Sequence, residues 1–257
     1  MDVSIAIIGH NHRQYLDTLF KSIFSSSCNV RWEVIFVDNT GKDGSGKFIA
    51  QRYPQVTVIN NPQPYSFSYN NNIAFQASQG RYFLMLNPDT ELKDYALDRL
   101  VEFMDKTPDA GACGAKLIFP EGTLQFSCRR FPTIRSFILR RTPLRIFFPQ
   151  RYRDRKHLMV DFSHNVPTKV DWLLGACIMV RRSVFEQLKG LDENFEMYCE
   201  DIDFCRRIYK AGWNVYYVPQ AEIIHHHLAE TDKSFFSPNT LKHYKSMWYY
   251  IKKHGLW

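Results

Sequence analysis

Two acidic groups in the sequence have the residue types and the positions that chemistry requires. Asp89 follows directly after an apolar run, in the segment Leu86-Asn87-Pro88-Asp89. A carboxylate oxygen at such a place could hold Mg²⁺ or Mn²⁺, with most of the coordination shell left to water and phosphate oxygens. Glu200 and Asp201 lie in a second acidic group, close to aromatic residues. Aromatic surroundings lower the local dielectric, so a carboxyl there could have a raised pKa and act as a base toward an alcohol.

Each acidic group also has a purely structural interpretation. Asp203 belongs to the second group and precedes Arg206 and Arg207 by three and four residues, which is the spacing of an ion pair along a helix. Acids are common in the first turn of a helix, because they interact favourably with its dipole. We therefore assign Asp203 to the helix and retain Glu200 and Asp201, which are expected to precede it, as candidates for chemistry.

Three consecutive histidines, 225 to 227, follow a short apolar run. Successive strand residues alternate between two faces, so the three side chains cannot all bind one metal ion. The spacings of a zinc site, CxxC or HxxxH, are absent from the sequence. One ligand histidine with two surface neighbours is one interpretation, and three solvated imidazoles is the other.

The elements that must position these residues alternate between strand and helix. This βαβαβαβ order predicts an α/β fold with an open, largely parallel sheet and helices on both sides. Ligands of such sheets bind beyond the carboxyl ends of the strands, where the polar groups 9–12, 38–40 and 87–89 fall. One group alone would be an ordinary turn, whereas three together favour a binding site. The predicted strands, all apolar and rich in β-branched or aromatic residues, are 3–8, 33–37, 56–59 and 82–86.

The second half of the sequence is less regular. Residues 170–180 predict a strand pair, or one strand kinked at Gly175. A terminal helix is expected over 241–254. Between them the pattern predicts helices at 183–188 and 201–211 and a strand at 215–218.

Composition narrows the class of protein. The chain has 257 residues, of which 45 % are hydrophobic, enough for one large domain with a full core. No apolar run approaches the roughly 20 residues of a membrane-spanning helix, and the N-terminus enters a strand directly, so neither a span nor a signal peptide is expected. Six scattered cysteines indicate reduced thiols and a cytoplasmic location. The net charge of +7 indicates a polyanionic partner: nucleic acid, an anionic membrane or a phosphorylated substrate.

Two basic segments favour a membrane surface among these partners. Residues 129–156 interleave arginines with aromatic and aliphatic side chains, a pattern suited to an anionic bilayer. The alternative for that segment is a solvated loop. In the terminal helix the alternative is packing on the core, because its apolar residues fall on one helical face, namely Leu241, Tyr244, Met247, Trp248 and Ile251.

These segments, in this order, resemble the family 2 inverting glycosyltransferases with a GT-A fold. The similarity is greatest to the rhamnosyltransferase-like members that build cell-surface polysaccharides. It implies one domain, 1–257, with a Rossmann-like nucleotide-sugar-binding half at 1–120, an acceptor and catalytic half at 121–240, and an amphipathic terminal helix at 241–257. The segments that carry the resemblance are 3–11, 33–39, 71–74, 86–89, 172–176, 190–195, 198–203 and 219–225.

The resemblance also implies roles for individual residues. Asp201 would be the general base, with Glu200 supporting it. Asp89 would be the last carboxylate of the metal-binding DXD motif, and His225 would complete the site for Mg²⁺ or Mn²⁺. Asp38 would contact a pyrimidine base. The remaining nucleotide-binding residues would be Gly9, His10, Asn11, Asn39, Asn71, Asn72 and Asn87, and those of the donor and acceptor pocket Trp172, Gly175 and Ala176.

The sequence departs from the family pattern at three positions. Asn87 leaves the DXD motif with one carboxylate, Asn71 stands where many relatives carry Arg, and Ala74 stands where Gly is usual. The change at Asn71 would alter the expected contact with the diphosphate or the base.

The expected activity is the transfer of a sugar from a nucleotide diphosphate, with dTDP-L-rhamnose first and UDP-sugars next. The acceptor would be a saccharide or a polyprenyl-diphosphate-linked saccharide, and the protein would lie peripherally on the cytoplasmic face of an anionic membrane. One alternative is a catalytically silent sugar-nucleotide-binding domain. The other is a basic nucleic-acid-binding protein, which we disfavour because no nucleic-acid-binding motif is recognisable and acids at the strand ends would repel phosphates.

Overall fold

The computed structural model describes residues 1–133, 157–226 and 238–255, and most of its strands belong to one sheet. The strands are β1 (Val3–Gly9), β2 (Trp32–Asp38), β3 (Thr57–Asn60), β4 (Tyr82–Leu86), β5 (Thr90–Leu92), β6 (Ala110–Ile118), β7 (Leu124–Gln125), β8 (Cys128–Arg129), β9 (Thr168–Lys169), β10 (Trp172–Leu173), β11 (Cys177–Arg181) and β12 (Asn214–His225). The helices are α1 (Arg13–Ser25), α2 (Ser45–Arg52), α3 (Phe67–Gln76), α4 (Ala96–Lys106), α5 (Arg182–Gln187), α6 (Glu200–Lys210) and α7 (Pro238–His254).

The main sheet has the strand order β3-β2-β1-β4-β11-β6-β12-β5. Strands β3, β2, β1 and β4 are parallel, as are β6 and β12. Strand β11 is antiparallel to both of its neighbours, β4 and β6, so the two parallel groups run in the same direction. The largely parallel sheet is thus confirmed, and the carboxyl ends of its parallel strands lie at one edge.

The core lies on both faces of the sheet, because β1 is buried at every residue. Ile5 and Ile7 pack with Leu16 and Phe20 of α1, and the intervening Ala6 packs on the opposite face. This alternation is why the strand sequence is continuously apolar. Helices therefore cover both faces, as the element order predicted.

The structure contains elements that the sequence analysis did not define. Helix α3 begins at Phe67, where the Ser66 side chain caps it by accepting a hydrogen bond from the Tyr69 amide. Helix α4 and strand β6 were not predicted. The prediction that Glu200 and Asp201 precede the helix was wrong, since both lie in its first turn.

The terminal helix is present, but the expected single apolar face is divided. Met247 and Ile251 pack against a small cluster around Phe195, while Leu241 and Trp248 are exposed.

Three further predictions concern the cysteines, membrane-spanning helices and the basic segment. All six cysteines are free thiols, as their spacing indicated. In the described ranges no helix has both the length and the apolar character that crossing a membrane requires. Most of the basic segment, residues 134–156, and His227 lie outside the described residues.

Candidate active site

Asp89 and His225 come together where β5 pairs with the end of β12. The antiparallel register places Thr90 opposite His225, and this brings Nε2 of His225 to 3.4 Å from Oδ1 of Asp89. Both side chains are buried, with exposures of 6 % for Asp89 and 4 % for His225. The ring of His226 lies against Glu91 instead, at 2.5 Å from Oε1. The two neighbouring histidines therefore contact different carboxylates, in agreement with the alternation of strand faces.

The other ring nitrogen of His225 is held by Gln125 of β7. Nδ1 lies 2.6 Å from the amide oxygen Oε1 of Gln125. An amide oxygen only accepts hydrogen bonds, so Nδ1 donates to Gln125, and in the neutral ring with this tautomer the lone pair of Nε2 faces Asp89. A lone pair and a carboxylate oxygen facing each other repel unless a cation or a proton lies between them.

The donor set of this pair fits a divalent cation. One carboxylate oxygen and one imidazole nitrogen converge, and the remaining positions are left to phosphate oxygens and water. An imidazole ligand suits Mn²⁺ better than Mg²⁺, because Mg²⁺ is bound almost entirely through oxygen. Among the described residues no group of three or more His, Cys, Asp and Glu side chains could hold a metal ion. Phosphate oxygens of a ligand could complete the coordination of a cation held by this pair.

Glu200 and Asp201 occupy the first turn of α6, and the chain enters that turn in a strained conformation. Tyr198 and Cys199 have positive φ values of 63° and 70°. The left-handed region is costly for residues other than glycine and is concentrated at functional sites. The pair of carboxyls is thus presented by a backbone that the surrounding structure holds in place.

The two carboxyls have different tendencies to ionise. Burial raises the pKa of both, and the charge of Asp201 raises the pKa of Glu200 further. The carboxylate of Asp201 accepts hydrogen bonds from the amides of Ile202 and Gly175, at 2.8 and 3.3 Å, and these oppose the rise in its pKa. The positive charge of Arg129 acts in the same direction. Asp201 therefore ionises first, and Glu200 retains its proton over a wider pH range.

The loop between β10 and β11 joins this pair of carboxyls to the segment that carries Asp89. Gly175 donates its amide hydrogen to Asp201, and the next carbonyl, that of Ala176, accepts from the amide of Asn87 at 3.0 Å. A Cβ added to Gly175 would have Asp201 as its nearest neighbour, at 3.9 Å. The predicted pocket residues Gly175 and Ala176 are thus bonded to the predicted base and to Asn87, which lies two residues before Asp89.

The predicted nucleotide-binding residues at the ends of β1 and β2 form one group. Gly9 accepts the amide hydrogen of Asn39 through its carbonyl, at 2.8 Å, and the Nδ1 atom of His10 lies 2.8 Å from the carbonyl oxygen of Asn39. The side-chain oxygen of Asn11 accepts from the amide of Lys42. These strand ends are therefore tied to one another as the sheet topology requires.

Asp38 has a structural task in this group. Its two oxygens accept from the amides of Gly41 and Gly46, both at 2.8 Å, which closes the loop after β2 and satisfies the first turn of α2. A Cβ on Gly46 would lie 2.6 Å from Oδ2 of Asp38, so only glycine allows this approach. A contact of Asp38 with a pyrimidine base would be made in addition to these two hydrogen bonds.

The adjacent amide network was missed by the sequence reasoning. Asn61 donates to the side-chain oxygens of Asn39 and Asn70, and Asn39 also exchanges hydrogen bonds with the backbone of Tyr65. Polar residues in a loop are common, so the sequence carried no signal that these amides would converge. The network fixes the loop after β3 against the predicted nucleotide site.

Three further predicted residues are engaged within the protein. The amide of Asn72 donates to the carbonyl of Leu191 and to Glu193, and its oxygen accepts from the Leu191 amide. Asn71 is fully buried, and its Oδ1 has no hydrogen-bond partner among the described residues. The buried indole of Trp172 donates to the carbonyl of Arg130 at 3.0 Å. Their assignment to ligand contacts stays a prediction.

Sequence comparisons give two family matches and several curated relatives. Residues 4–189 match the model described as "Glycosyl transferase family 2", and residues 156–230 match "N-terminal domain of galactosyltransferase". The chain is 31 % identical over 242 residues to the N-acetylglucosaminyl-diphospho-decaprenol L-rhamnosyltransferase of Mycobacterium tuberculosis, covering 87 % of this chain and 76 % of the relative. It is 30 % identical over 262 residues to the rhamnosyltransferase WbbL of Escherichia coli K12, covering 98 % and 93 %.

Solved structures with the same fold come from more distant proteins. GalNAc-T7 with UDP, GalNAc and Mn²⁺ has a TM-score of 0.68 at 18 % identity, with 88 % of this chain and 44 % of that chain covered. Mannosyltransferase PcManGT from Pyrobaculum calidifontis with GDP-Man and Mn²⁺ has a TM-score of 0.61 at 16 % identity, with 90 % and 58 % covered. The chain spans less than two thirds of each of these two proteins, and at such identities the likeness concerns the fold.

Proposed function

The chain belongs to glycosyl transferase family 2 and has the GT-A fold, and from this premise we propose that it is a metal-dependent, inverting rhamnosyltransferase. One observation carries the site assignment. The adjacent residues Gly175 and Ala176 bind Asp201 on one side and Asn87 on the other. A single displacement needs donor and acceptor to be held close together. Neighbouring residues that bind the base and the cation-binding segment meet this need.

Asp89 and His225 would hold the cation with the diphosphate of the donor. When bound, the cation, Mn²⁺ in preference to Mg²⁺, would neutralise the charge that develops on the leaving diphosphate. Asp89 contributes a carboxylate oxygen and His225 the Nε2 lone pair that Gln125 directs toward it. Gly9, His10, Asn11, Asp38 and Asn39 would bind the nucleoside part at the neighbouring strand ends.

Asp201 would accept the proton of the attacking hydroxyl group. The acceptor oxygen bonds to the anomeric carbon as the bond from that carbon to the diphosphate oxygen breaks, and the attack from the opposite side inverts the anomeric centre. Asp201 is suited to this step because it ionises before Glu200. Glu200, which retains its proton, would support the site as a hydrogen-bond donor.

The substrates are proposed from the relatives. The mycobacterial relative is named as an L-rhamnosyltransferase acting on N-acetylglucosaminyl-diphospho-decaprenol, and the relative from E. coli is also a rhamnosyltransferase. For this chain we propose dTDP-L-rhamnose as donor, UDP-sugars as the next candidates, and a polyprenyl-diphosphate-linked saccharide as acceptor. A membrane-embedded acceptor would place the protein peripherally on the cytoplasmic face of that membrane.

A transfer assay with a panel of nucleotide sugars tests the proposal. The chain is incubated with Mn²⁺ and a short-chain polyprenyl-diphosphate N-acetylglucosamine, and the product and released nucleotide are measured. We expect dTDP release coupled to a product of inverted anomeric configuration. Tight binding of dTDP or UDP without transfer from any donor would instead support a silent sugar-nucleotide-binding domain, and a clear preference for a purine nucleotide would contradict the proposed donor.

A further inference from the structure

Three large apolar side chains are exposed along one side of the terminal helix α7. Leu241, Tyr244 and Trp248 are 51 %, 38 % and 60 % exposed. Their spacing of three and four residues places them above one another on the helix surface. We call this side of α7 the outer face. Elsewhere in the described ranges the exposed large apolar side chains are single and scattered, namely Met1, Tyr95 and Val166.

The opposite side of α7 is packed on the protein. Ser246, Tyr250 and His254, each four residues apart, are buried. Ser246 accepts a hydrogen bond from the amide of Met197 at 3.4 Å, and Tyr249 packs edge-on against Phe195 at 5.0 Å between ring centroids. The position of the helix is therefore fixed by its inner side, and the exposure of the outer face is not a result of loose packing.

Lysines of α7 flank the outer face. The helix contains no Asp or Glu, and Lys242, Lys245 and Lys252 lie beside the apolar residues. The ammonium group of Lys252 lies 5.5 Å from the centroid of the Trp248 ring, and Lys245 pairs with the exposed Glu196 at 3.3 Å. Large apolar side chains bordered by lysines are the composition of helices that lie in the interface of an anionic bilayer.

We infer that the outer face of α7 docks flat on an anionic lipid bilayer. Leu241, Tyr244 and Trp248 enter the boundary between headgroups and acyl chains, and the flanking lysines meet the lipid phosphates. The attraction of lysines to such a surface is screened by dissolved ions, so the binding is sensitive to salt. The inference deepens the proposed function, on which it rests, because a lipid-linked acceptor requires the site to face the bilayer.

The inner side of α7 contacts helix α6, which carries Glu200 and Asp201. The fully buried carboxylate of Asp203 contacts Nε2 of His254 and Nζ of Lys253, both at 2.7 Å, and also the Nε of Arg207 at 2.7 Å. Asp203 is two residues from Asp201 in the first turns of α6. A bilayer that holds α7 thus also fixes the direction from which the acceptor hydroxyl reaches Asp201.

Vesicle binding of the full chain tests the inference. Sedimentation is measured with vesicles of phosphatidylcholine alone and with phosphatidylglycerol added, at low and high salt, for the unmodified chain and for the double variant Leu241→Glu/Trp248→Glu. The matched control is Val166→Glu with Tyr95→Glu, which places the same charges on exposed apolar positions far from α7 in the chain. Thermal unfolding checks that each variant is folded.

We expect the unmodified chain and the control to bind anionic vesicles, and the α7 variant to lose at least tenfold in partitioning. Transfer to a water-soluble acceptor should be unchanged in all three, so loss of docking is distinguishable from failure of the proposed function. Undiminished vesicle binding by the α7 variant would overturn the inference. Equal binding of the unmodified chain to neutral and anionic vesicles would overturn it as well.

Discussion

The amide of Gly175 donates a hydrogen bond to Oδ2 of Asp201 over 3.3 Å. The three-residue loop between β10 and β11, residues 174–176, also binds the segment ending in Asp89, through the carbonyl of Ala176 and the amide of Asn87. The position of the proposed base is thus fixed relative to the proposed cation ligands by backbone atoms. Because backbone atoms of this loop make both contacts, the two groups have little freedom to move relative to each other.

Removing the cation ligands should weaken nucleotide binding in a way that depends on metal. Asp89→Ala and His225→Ala should each reduce the affinity for dTDP in the presence of Mn²⁺, because donor and cation bind together, and should leave the weaker affinity without metal unchanged. Calorimetry with Mn²⁺, Mg²⁺ and a chelator measures this. His226→Ala is the neighbouring control, since that ring contacts Glu91. Equal loss in the control would contradict the assignment of His225.

Gln125 should act as a positioning residue for His225. Gln125→Leu removes the acceptor that keeps the proton on Nδ1, and outer-sphere partners of this kind are worth about 10- to 100-fold in metal affinity. Gln125→Glu retains an acceptor at the same place and should restore binding. Mn²⁺ affinity in the presence of dTDP, measured by electron paramagnetic resonance, distinguishes the two variants. Equal affinities for Leu and Glu at this position would show that the hydrogen bond to Nδ1 is not needed.

The rate of transfer should fall as the pH decreases through the pKa of Asp201. The ionised carboxylate is the active form, and burial raises its pKa above the ordinary Asp value of about 3.9, so the acid limb should lie above that value. Arg129 lowers this pKa, and Arg129→Gln should move the limb to higher pH. Arg130→Gln is the control, because Arg130 pairs with Asp161 at 2.9 Å. A limb that stays in place when Arg129 is changed would contradict the electrostatic account.

Asp201→Asn should stabilise the fold at neutral pH. The pKa of Asp201 is raised by folding, so its favourable contribution is present below the unfolded pKa and is lost as the pH rises through the folded pKa. At pH 7 the Asn side chain avoids the cost of burying a charge. We therefore expect the free energy of unfolding to rise by about 1 kcal/mol and Tm to rise by about 2–4 °C. Below the unfolded pKa the difference should vanish. A lower Tm at pH 7 would mean that the carboxylate is a net stabilising group.

The sequence predicted the elements whose signals are local. The buried strands β1, β2 and β4 have continuous apolar runs, and the polar residues at their ends were recognised as a group for that reason. The ion pair of Asp203 with Arg207 follows from helical spacing and is confirmed at 2.7 Å, whereas Arg206 lies over the ring of Phe131.

Features that depend on distant pairing were not predictable. The insertion of β11 between β4 and β6 follows from side-chain packing across the sheet, and a short apolar run does not indicate its neighbours. Gln125 reaches His225 only because β7 pairs with β6, which in turn pairs with β12. Packing of α7 on the core was one of the two sequence interpretations, but its contacts with Asp203 were not predicted, because Lys253 and His254 are ordinary residues for the end of a helix.

The initial transfer rate of Asp201→Asn at saturating donor and acceptor tests the central claim most directly. The substitution keeps the shape of the side chain and one of its two acceptor oxygens but removes the ability to take a proton. The account predicts that dTDP affinity with Mn²⁺ is retained while the rate falls by about 10²- to 10⁴-fold, and that Glu200→Gln has a smaller effect. Near-normal transfer by Asp201→Asn would contradict the account and remove Asp201 as the base.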